Sequence, residues 1–108
     1  MSSSMRHPSD SDIAVIAETY RLLGDPTRLR VLLACLGGPI PVGEIAARTG
    51  ASQSLVSHHL RLLRGARLVR GTRRTKQVFY ELNDAHIARM LADMVDHVGE
   101  EPAELGDE

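Results

Sequence analysis

Breaker residues divide this chain into short segments, and the division constrains the fold more than any other feature. Gly24-Asp25-Pro26, Gly37-Gly38-Pro39 and Gly50 each interrupt a stretch whose apolar residues recur at helical spacing. After Gly65 the spacing changes to the two-residue period that is typical of strands. The sequence therefore predicts a mainly α-helical domain with one β-hairpin.

The predicted elements follow directly from these signals. Five helices are predicted at about residues 13–23 with Asp12 as N-cap, 26–36 with Asp25 as N-cap, 42–49, 53–65 after Ser52, and from Asn83 or Asp84 to 98. Two strands, at 68–70 and 77–82, flank a basic loop at 71–76. We divide the chain into a flexible arm (1–11), a folded domain (12–98) and an acidic tail (99–108).

Composition excludes several classes of protein. Aromatic residues make up 3% of the chain, which argues against a base-stacking surface for single strands and against an aromatic-lined pocket for small molecules. The single cysteine, Cys35, excludes an internal disulfide framework. No apolar run approaches the roughly 20 residues that span a bilayer, and the first residues lack the apolar stretch of a signal peptide. We therefore expect a cytoplasmic protein without a membrane partner.

The distribution of charge is more informative than the formal net charge of -1. Residues 52–80 contain no Asp or Glu and carry seven of the thirteen basic residues. Residues 81–108 reverse the balance, with nine acids against Arg89. A basic segment is often an ordinary solvated face, but the absence of acids over this length favours contact with a polyanion.

Residues 42–64 have the organisation of a helix-turn-helix. A short helix meets a longer one through Gly50-Ala51-Ser52, and the longer helix opens with small polar side chains that could reach base edges in the major groove. The basic hairpin that follows resembles a wing. A helical hairpin inside an ordinary core is the alternative. The candidate contacts to double-stranded DNA are Ser52, Gln53, Ser54, Ser57, His58, Arg61, Arg64, Arg73, Arg74 and Lys76.

Two stretches carry a family resemblance, DPTRLRVL at residues 25–32 and SLVSHHLRLLR at residues 54–64. With the order of elements, they make residues 13–98 resemble the ArsR/SmtB family of bacterial transcriptional repressors. The resemblance implies a homodimeric winged helix-turn-helix protein whose first and last helices form the dimer interface. It also implies repression by binding an imperfect inverted repeat, relieved by an effector that in many members is a metal ion.

The last predicted helix carries candidate metal ligands at both ends. Asp84 and His86 lie in its first turn, and His97 and Glu100 lie near its end. A rise of 1.5 Å per residue separates the two pairs by about 16 Å, so one helix cannot bring them to one ion. An antiparallel copy of the helix in a two-fold dimer would unite them. The pattern resembles the interfacial zinc site of the family's zinc sensors, and its N and O donors suit Zn(II), with Co(II) next.

Several alternatives remain open for the effector. Glu101 could replace Glu100, Asp93 and Asp96 are weaker candidates, and His7 on the arm could complete a six-coordinate Ni(II) or Co(II) site. Asp84 could serve as a helix cap alone, with both histidines merely solvated.

Other functions are also open at this point. The inducer could be a small molecule or a redox signal, the latter through a Cys35 bridge between subunits, although we expect Cys35 to be a core residue. A DNA-binding protein without an inducer is a further alternative. We expect no enzymatic activity, because a hydrolase would need a nucleophile and a base that the sequence does not offer. Of His58 and His59, we expect one to face DNA and the other to pack inward or to lie at the surface.

Overall fold

A computed structural model describes residues 6–102 of the chain. Its elements, in chain order, are α1 (Asp10–Leu23), α2 (Pro26–Ala34), β1 (Ile40–Pro41), α3 (Val42–Thr49), α4 (Gln53–Gly65), β2 (Val69–Arg74), β3 (Gln77–Leu82) and α5 (Ala85–Gly99). This is the mainly helical winged arrangement that the sequence predicts. Among residues 6–102, no helix is long and apolar enough to cross a lipid bilayer.

The first helix begins earlier than predicted. Ser9, not Asp12, is the N-cap of α1, and its hydroxyl oxygen accepts a hydrogen bond of 3.1 Å from the Asp12 N–H. The Asp12 carboxylate in turn accepts the Ser9 N–H at 3.0 Å, which completes a capping box. Asp12 is therefore the third residue of the helix, and positions 10 and 11, assigned to the arm from sequence, are helical.

The remaining helix starts are those predicted from sequence. The side chains of Asp25, Ser52 and Asp84 each accept a backbone N–H three residues further on. Such caps satisfy amides that have no partner inside the helix. The end of α2 differs from the prediction, because the helix stops at Ala34 with Cys35 as its C-cap, two residues before the predicted Leu36.

The sheet has three antiparallel strands in the order β1-β3-β2. The sequence did not predict β1, a two-residue strand that pairs Ile40 with Tyr80 and Pro41 with Phe79. The predicted loop at 71–76 is also wrong for most of its length, because β2 continues to Arg74 and pairs with β3 throughout. Pairing with β3 keeps residues 71–74 in β2, although these residues no longer alternate between apolar and polar.

The core lies between α2, α3, α4, the sheet and α5. Its buried apolar members are Val31, Leu32, Cys35, Ile40, Ile45, Val56, Leu60, Leu63, Leu68, Val69, Leu82 and Leu91. From helical spacing, the sequence predicts Leu55 to be buried with Val56, Leu60 and Leu63, and this is wrong for Leu55, which is 41% exposed in the first turn of α4. Helix α4 thus presents its later residues to the core, whereas its first turn projects beyond it.

Two substitutions on α4 test this placement. Leu60 is 2% exposed. Leu60→Ala should therefore lower the protein's free energy of unfolding by about 2 to 5 kcal/mol, since burial is lost and a cavity remains. Leu55→Ala should cost less than about 1.5 kcal/mol, since much of that side chain is already in water. Urea denaturation at fixed protein concentration measures both, and equal losses would contradict the burial described.

Candidate DNA interface and metal-ligand helix

The turn between α3 and α4 is built around Gly50. This residue adopts φ 77°, a left-handed conformation that favours glycine, and its N–H donates to the Ala46 carbonyl to end α3. Within the turn, the Ala51 N–H donates to the Thr49 hydroxyl at 3.4 Å, and Ser52 then caps α4. The two helices are held in the arrangement predicted for a helix-turn-helix.

The candidate DNA-contacting residues lie mainly on the surface. Ser57 is half-buried, and the other nine are exposed. The Ser52 hydroxyl accepts the Leu55 N–H at 3.1 Å, so its first role in the structure is capping. The Gln53 side-chain amide lies beside Gly43 in the first turn of α3. A Cβ added to Gly43 would be 3.5 Å from Nε2 of Gln53. The exposed start of α4 therefore carries hydrogen-bonding side chains, with Leu55 as its one exposed large apolar residue.

The hairpin β2–β3 carries further cations beside α4. Arg74 places its guanidinium carbon 5.2 Å from the centre of the Phe79 ring, a cation–π contact that fixes its direction. Arg73 immediately precedes Arg74 in β2, so its side chain faces the opposite side of the sheet. Within residues 6–102, Arg61, Arg64 and Arg73 form no salt bridge with a carboxylate. Their charges are therefore available to phosphates.

The two adjacent histidines of α4 separate as predicted. His58 is exposed, whereas His59 is 5% exposed and accepts a hydrogen bond of 3.3 Å at Nδ1 from Nε of Arg28. Burial lowers the pKa of His59, and the neighbouring Arg28 cation lowers it further. Sequence reasoning missed Arg28 as a partner, because a contact across 31 residues has no local periodic signal.

The candidate metal ligands form two separate groups on one chain. Nδ1 of His86 lies 3.7 Å from the Asp84 carboxylate at the start of α5. His97 and Glu100 are exposed at the other end, with Glu101 just beyond. No three His, Cys, Asp or Glu side chains within residues 6–102 are grouped to hold an ion. The structure of one chain therefore brings together Asp84 with His86 but does not join them to the distal pair.

The other candidate ligands are also on the surface. Asp93 and Asp96 are exposed on α5, and His7 is exposed before α1. The Ile87 N–H that donates to the Asp84 carboxylate is the main reason that the pKa of Asp84 lies below its ordinary value. Asp84 is therefore ionised, and an anionic oxygen is the form that binds a cation.

Cys35 is a core residue, as predicted. Its side chain is 1% exposed, and burial raises the pKa of its thiol to about 12. The thiolate, which is the form that binds metals and attacks disulfides, is therefore strongly disfavoured. A Cys35 bridge between two subunits would require the core to open, which argues against a redox inducer acting through this residue.

Comparison with known proteins identifies the family. The family profile described as "Bacterial regulatory protein, arsR family" matches residues 25–70. The chain is 41% identical over 91 residues to the HTH-type transcriptional regulator NmtR of Mycobacterium tuberculosis, covering 83% of this chain and 76% of that protein. It is 45% identical over 82 residues to the regulator CmtR of the same species, covering 76% of this chain and 70% of that protein.

Solved structures agree with this assignment. The solution structure of apo-NmtR matches with a TM-score of 0.74 and 33% identity, covering 100% of this chain and 91% of that one. The homodimeric winged helix-turn-helix domain Mb0332 of Mycobacterium bovis matches with a TM-score of 0.73 and 25% identity, covering 93% of this chain and 99% of that one. The fold is thus that of a winged helix-turn-helix DNA-binding regulator. The chain belongs to the arsR family of bacterial regulatory proteins.

A charge-removing substitution tests the proposed DNA surface. Arg61→Ala should weaken binding to operator and random-sequence duplexes by similar factors, since a phosphate contact carries little sequence information. The slope of log K against log salt should fall in magnitude by about 1. Arg89→Ala, which removes an exposed cation from α5, is the control and should leave the slope unchanged. Fluorescence anisotropy over a salt series measures both, and an unaltered slope for Arg61→Ala would remove this residue from the interface.

Proposed function

We propose that this chain is a metal-responsive transcriptional repressor. As a homodimer it binds an inverted-repeat operator, and it is released when Zn(II), or Co(II) in its place, binds at the dimer interface. One observation carries the proposal: α5 presents an Asp84–His86 pair at its start and an exposed His97 and Glu100 at its end, and the apolar side chains of its last turns are exposed.

The apolar surface of α5 supports dimerisation. Val95 is 52% exposed and Val98 is 75% exposed, and Met94 beside them is also exposed. Helix α1 is similarly uncovered. Its exposed large apolar residues are Ile13, Val15, Ile16 and Tyr20. Surfaces of this kind on a small protein usually mark an interface, and a second copy would cover both helices, as the homodimeric state of the Mb0332 domain supports.

A two-fold dimer supplies the geometry that one chain lacks. If the two α5 helices run antiparallel, Asp84 and His86 of one subunit approach His97 and Glu100 of the other, and symmetry creates two equivalent sites. Each site would offer two imidazole nitrogens and two carboxylates, a donor set that fits a tetrahedral Zn(II) site. The exposed positions of all four residues leave them free to take part.

The donor chemistry favours zinc over softer metals. One similar structure, 42% identical with a TM-score of 0.66 and covering 82% of this chain and 96% of that one, is that of the cadmium metal-sensor CMTR of Mycobacterium tuberculosis. This supports a metal as effector. Soft cations prefer thiolates, however, and the only cysteine here is the buried Cys35. Nitrogen and oxygen donors therefore direct this chain towards Zn(II) and Co(II).

A continuous set of hydrogen bonds joins the start of α5 to the end of α4. The Asp84 carboxylate caps α5, and the N–H of the preceding Asn83 donates to the Leu68 carbonyl at 3.0 Å. The Leu68 N–H in turn donates to the Leu63 carbonyl in the last turn of α4 at 2.9 Å. A displacement of Asp84 would therefore be transmitted through the backbone to α4, which is the proposed recognition helix.

Release from DNA then follows from fixing the two subunits relative to each other. When bound, the ion supplies a rigid cross-link between the two α5 helices. Two α4 helices must enter successive major grooves about 34 Å apart. If the cross-linked dimer holds them at another spacing, metal and operator oppose each other through a coupling free energy. The Asp84-to-Leu63 connection gives that coupling a path within each subunit.

The test combines metal spectroscopy with DNA release. The parent dimer should bind one Co(II) per chain with intense visible bands, because tetrahedral coordination favours them, and Zn(II) should displace the cobalt. His97→Ala should lose these bands, bind the operator like the parent and no longer release it with zinc. Arg89→Ala, on the same helix and without a metal-binding side chain, is the control that should retain the bands.

Other outcomes would favour a different effector. Weak octahedral bands would replace the proposed site with a Ni(II) or Co(II) site that recruits His7. Absence of binding would leave a repressor of this fold whose inducer is not a metal. Zinc-induced release by His97→Ala at the parent's zinc concentration would show that this site is not the switch.

The dimer interface can be tested separately from metal. Val95→Glu places a charge on the exposed apolar face of α5, so association should weaken at concentrations at which the parent is dimeric. Arg89→Ala, also on α5, should sediment like the parent. Sedimentation equilibrium without metal measures the state of both variants, and a fully dimeric Val95→Glu would contradict an interface centred on this face.

A further inference from the structure

A buried polar contact connects three helices behind the DNA-facing surface. Arg28 of α2 donates from Nε to Nδ1 of His59 in α4 at 3.3 Å, and from Nη1 to the Leu22 carbonyl at the end of α1 at 3.1 Å. Its backbone N–H donates to the Asp25 carboxylate at 2.8 Å. Within residues 6–102, His59 is the only buried residue with a polar or charged side chain. A single guanidinium thus joins α1, α2 and the recognition helix.

We propose that Arg28 and His59 form a proton-sensitive positioning contact that aligns α4 for operator binding, and that protonation of His59 weakens this binding. The inference rests on the DNA-binding part of the proposed function and is independent of the metal site. His59 acts as a positioning residue, because its buried side chain points away from the DNA and towards α2.

The contact requires a neutral imidazole. Nδ1 accepts from Arg28 only while it keeps its lone pair, so the ring proton must reside on Nε2. Protonation would place an N–H at Nδ1, directly opposite the Arg28 N–H, and would bring two positive charges together in a buried site. The hydrogen bond would be lost and replaced by repulsion.

Most of the charged groups around His59 disfavour its protonation, as burial does. From α2, Arg28 disfavours protonation, while the Asp25 carboxylate, 4.0 Å from Nε2, favours it. From α4, His58 lies with its ring centre 5.7 Å away and also disfavours it. From α1, the exposed Glu18 and Arg21 line the groove that Arg28 borders. Burial is the largest effect and lowers the pKa of His59 below its ordinary 6.5, which agrees with the geometry.

The direction of the pH effect follows from that lowered pKa. Above pH 6.5, the imidazole is neutral in both folded and unfolded chains, and the contact contributes fully. As pH falls below 6.5 towards the lower pKa of the folded state, the unfolded or rearranged chain takes up the proton more readily. The aligned state is then progressively disfavoured.

The consequence for DNA binding lies in the spacing of two α4 helices. Arg28 holds α4 to the end of α1, and α1 belongs to the proposed dimer interface. Loss of the contact therefore frees each recognition helix relative to the partner subunit. Operator binding needs both helices at a fixed separation, whereas non-specific binding depends chiefly on phosphate contacts. Loss of the contact should therefore lower the affinity for the operator more than the affinity for random-sequence DNA.

The experiment compares His59→Asn with the parent in the presence of a chelator. Asn places a carbonyl acceptor near the position of Nδ1 but does not titrate near neutral pH. The probe is a duplex selected by the parent from a random pool, measured by anisotropy at constant ionic strength. Between about pH 7.5 and about pH 5.5 the parent should lose affinity severalfold relative to His59→Asn, because protonation of His59 disfavours the aligned state. Arg89→Ala, which removes an exposed cation from α5 outside the proposed DNA surface, should keep the parent's pH dependence.

A second measurement does not depend on the variant folding. NMR titration of the His59 ring in the parent should show its pKa falling further when the duplex is added, since DNA would bind the neutral form. An unchanged or raised pKa on adding DNA would overturn the proposal. So would equal pH dependence in His59→Asn and the parent. Failure of all DNA binding at pH 7.5 would instead overturn the proposed function.

Discussion

The proposed DNA-facing surface depends on the packing of α3 against α4, which are joined through one left-handed residue, Gly50. Gly50 reverses the chain at φ 77°, and Ile45 and Val56, both fully buried, belong to the core behind it. A residue with a Cβ would pay a conformational cost at that position. Because the polar start of α4 projects beyond this core, the side chains that could read bases stay exposed while the helix is held by its later turns.

Helix α5 combines a structural role with the proposed roles in association and metal binding. Asp84 caps the helix through the Ile87 N–H and is also a proposed ligand, so an oxygen that stabilises the fold lies at the site where an effector would act. The same helix contributes Leu91 to the core and leaves Val95 and Val98 uncovered. The fold, the proposed association and the proposed response to an effector therefore share this one helix and its caps.

Local signals predicted much of this structure. The caps at Asp25, Ser52 and Asp84 and the turn at Gly50 depend on residues within a few positions of each other, and sequence patterns carry such information. Strand β1 and the Arg28–His59 contact depend on partners distant in sequence, so no local pattern could reveal them. The sequence offers all four candidate ligands of the proposed metal site, but bringing them together requires a second chain.

The misplaced boundaries have physical causes as well. Asp is a residue type favoured at N-caps, which is why the sequence predicts Asp12 as the cap. The cap is Ser9 instead, because Asp12 at the third helical position accepts the Ser9 N–H and completes a capping box. Leu55 satisfies the helical period of an apolar stripe, yet the core ends before the first turn of α4. Periodicity identifies the face of a helix, whereas the extent of its burial depends on the elements packed against it.

The burial of Cys35 also makes the protein a natural reporter of its own opening. A thiol that is 1% exposed, with a pKa raised to about 12, reacts with alkylating reagents only when the surrounding core separates. Its labelling rate therefore reports how often α2 and the sheet come apart. Since no other thiol competes in this chain, the opening of the core can be followed with unmodified protein, with and without DNA or metal.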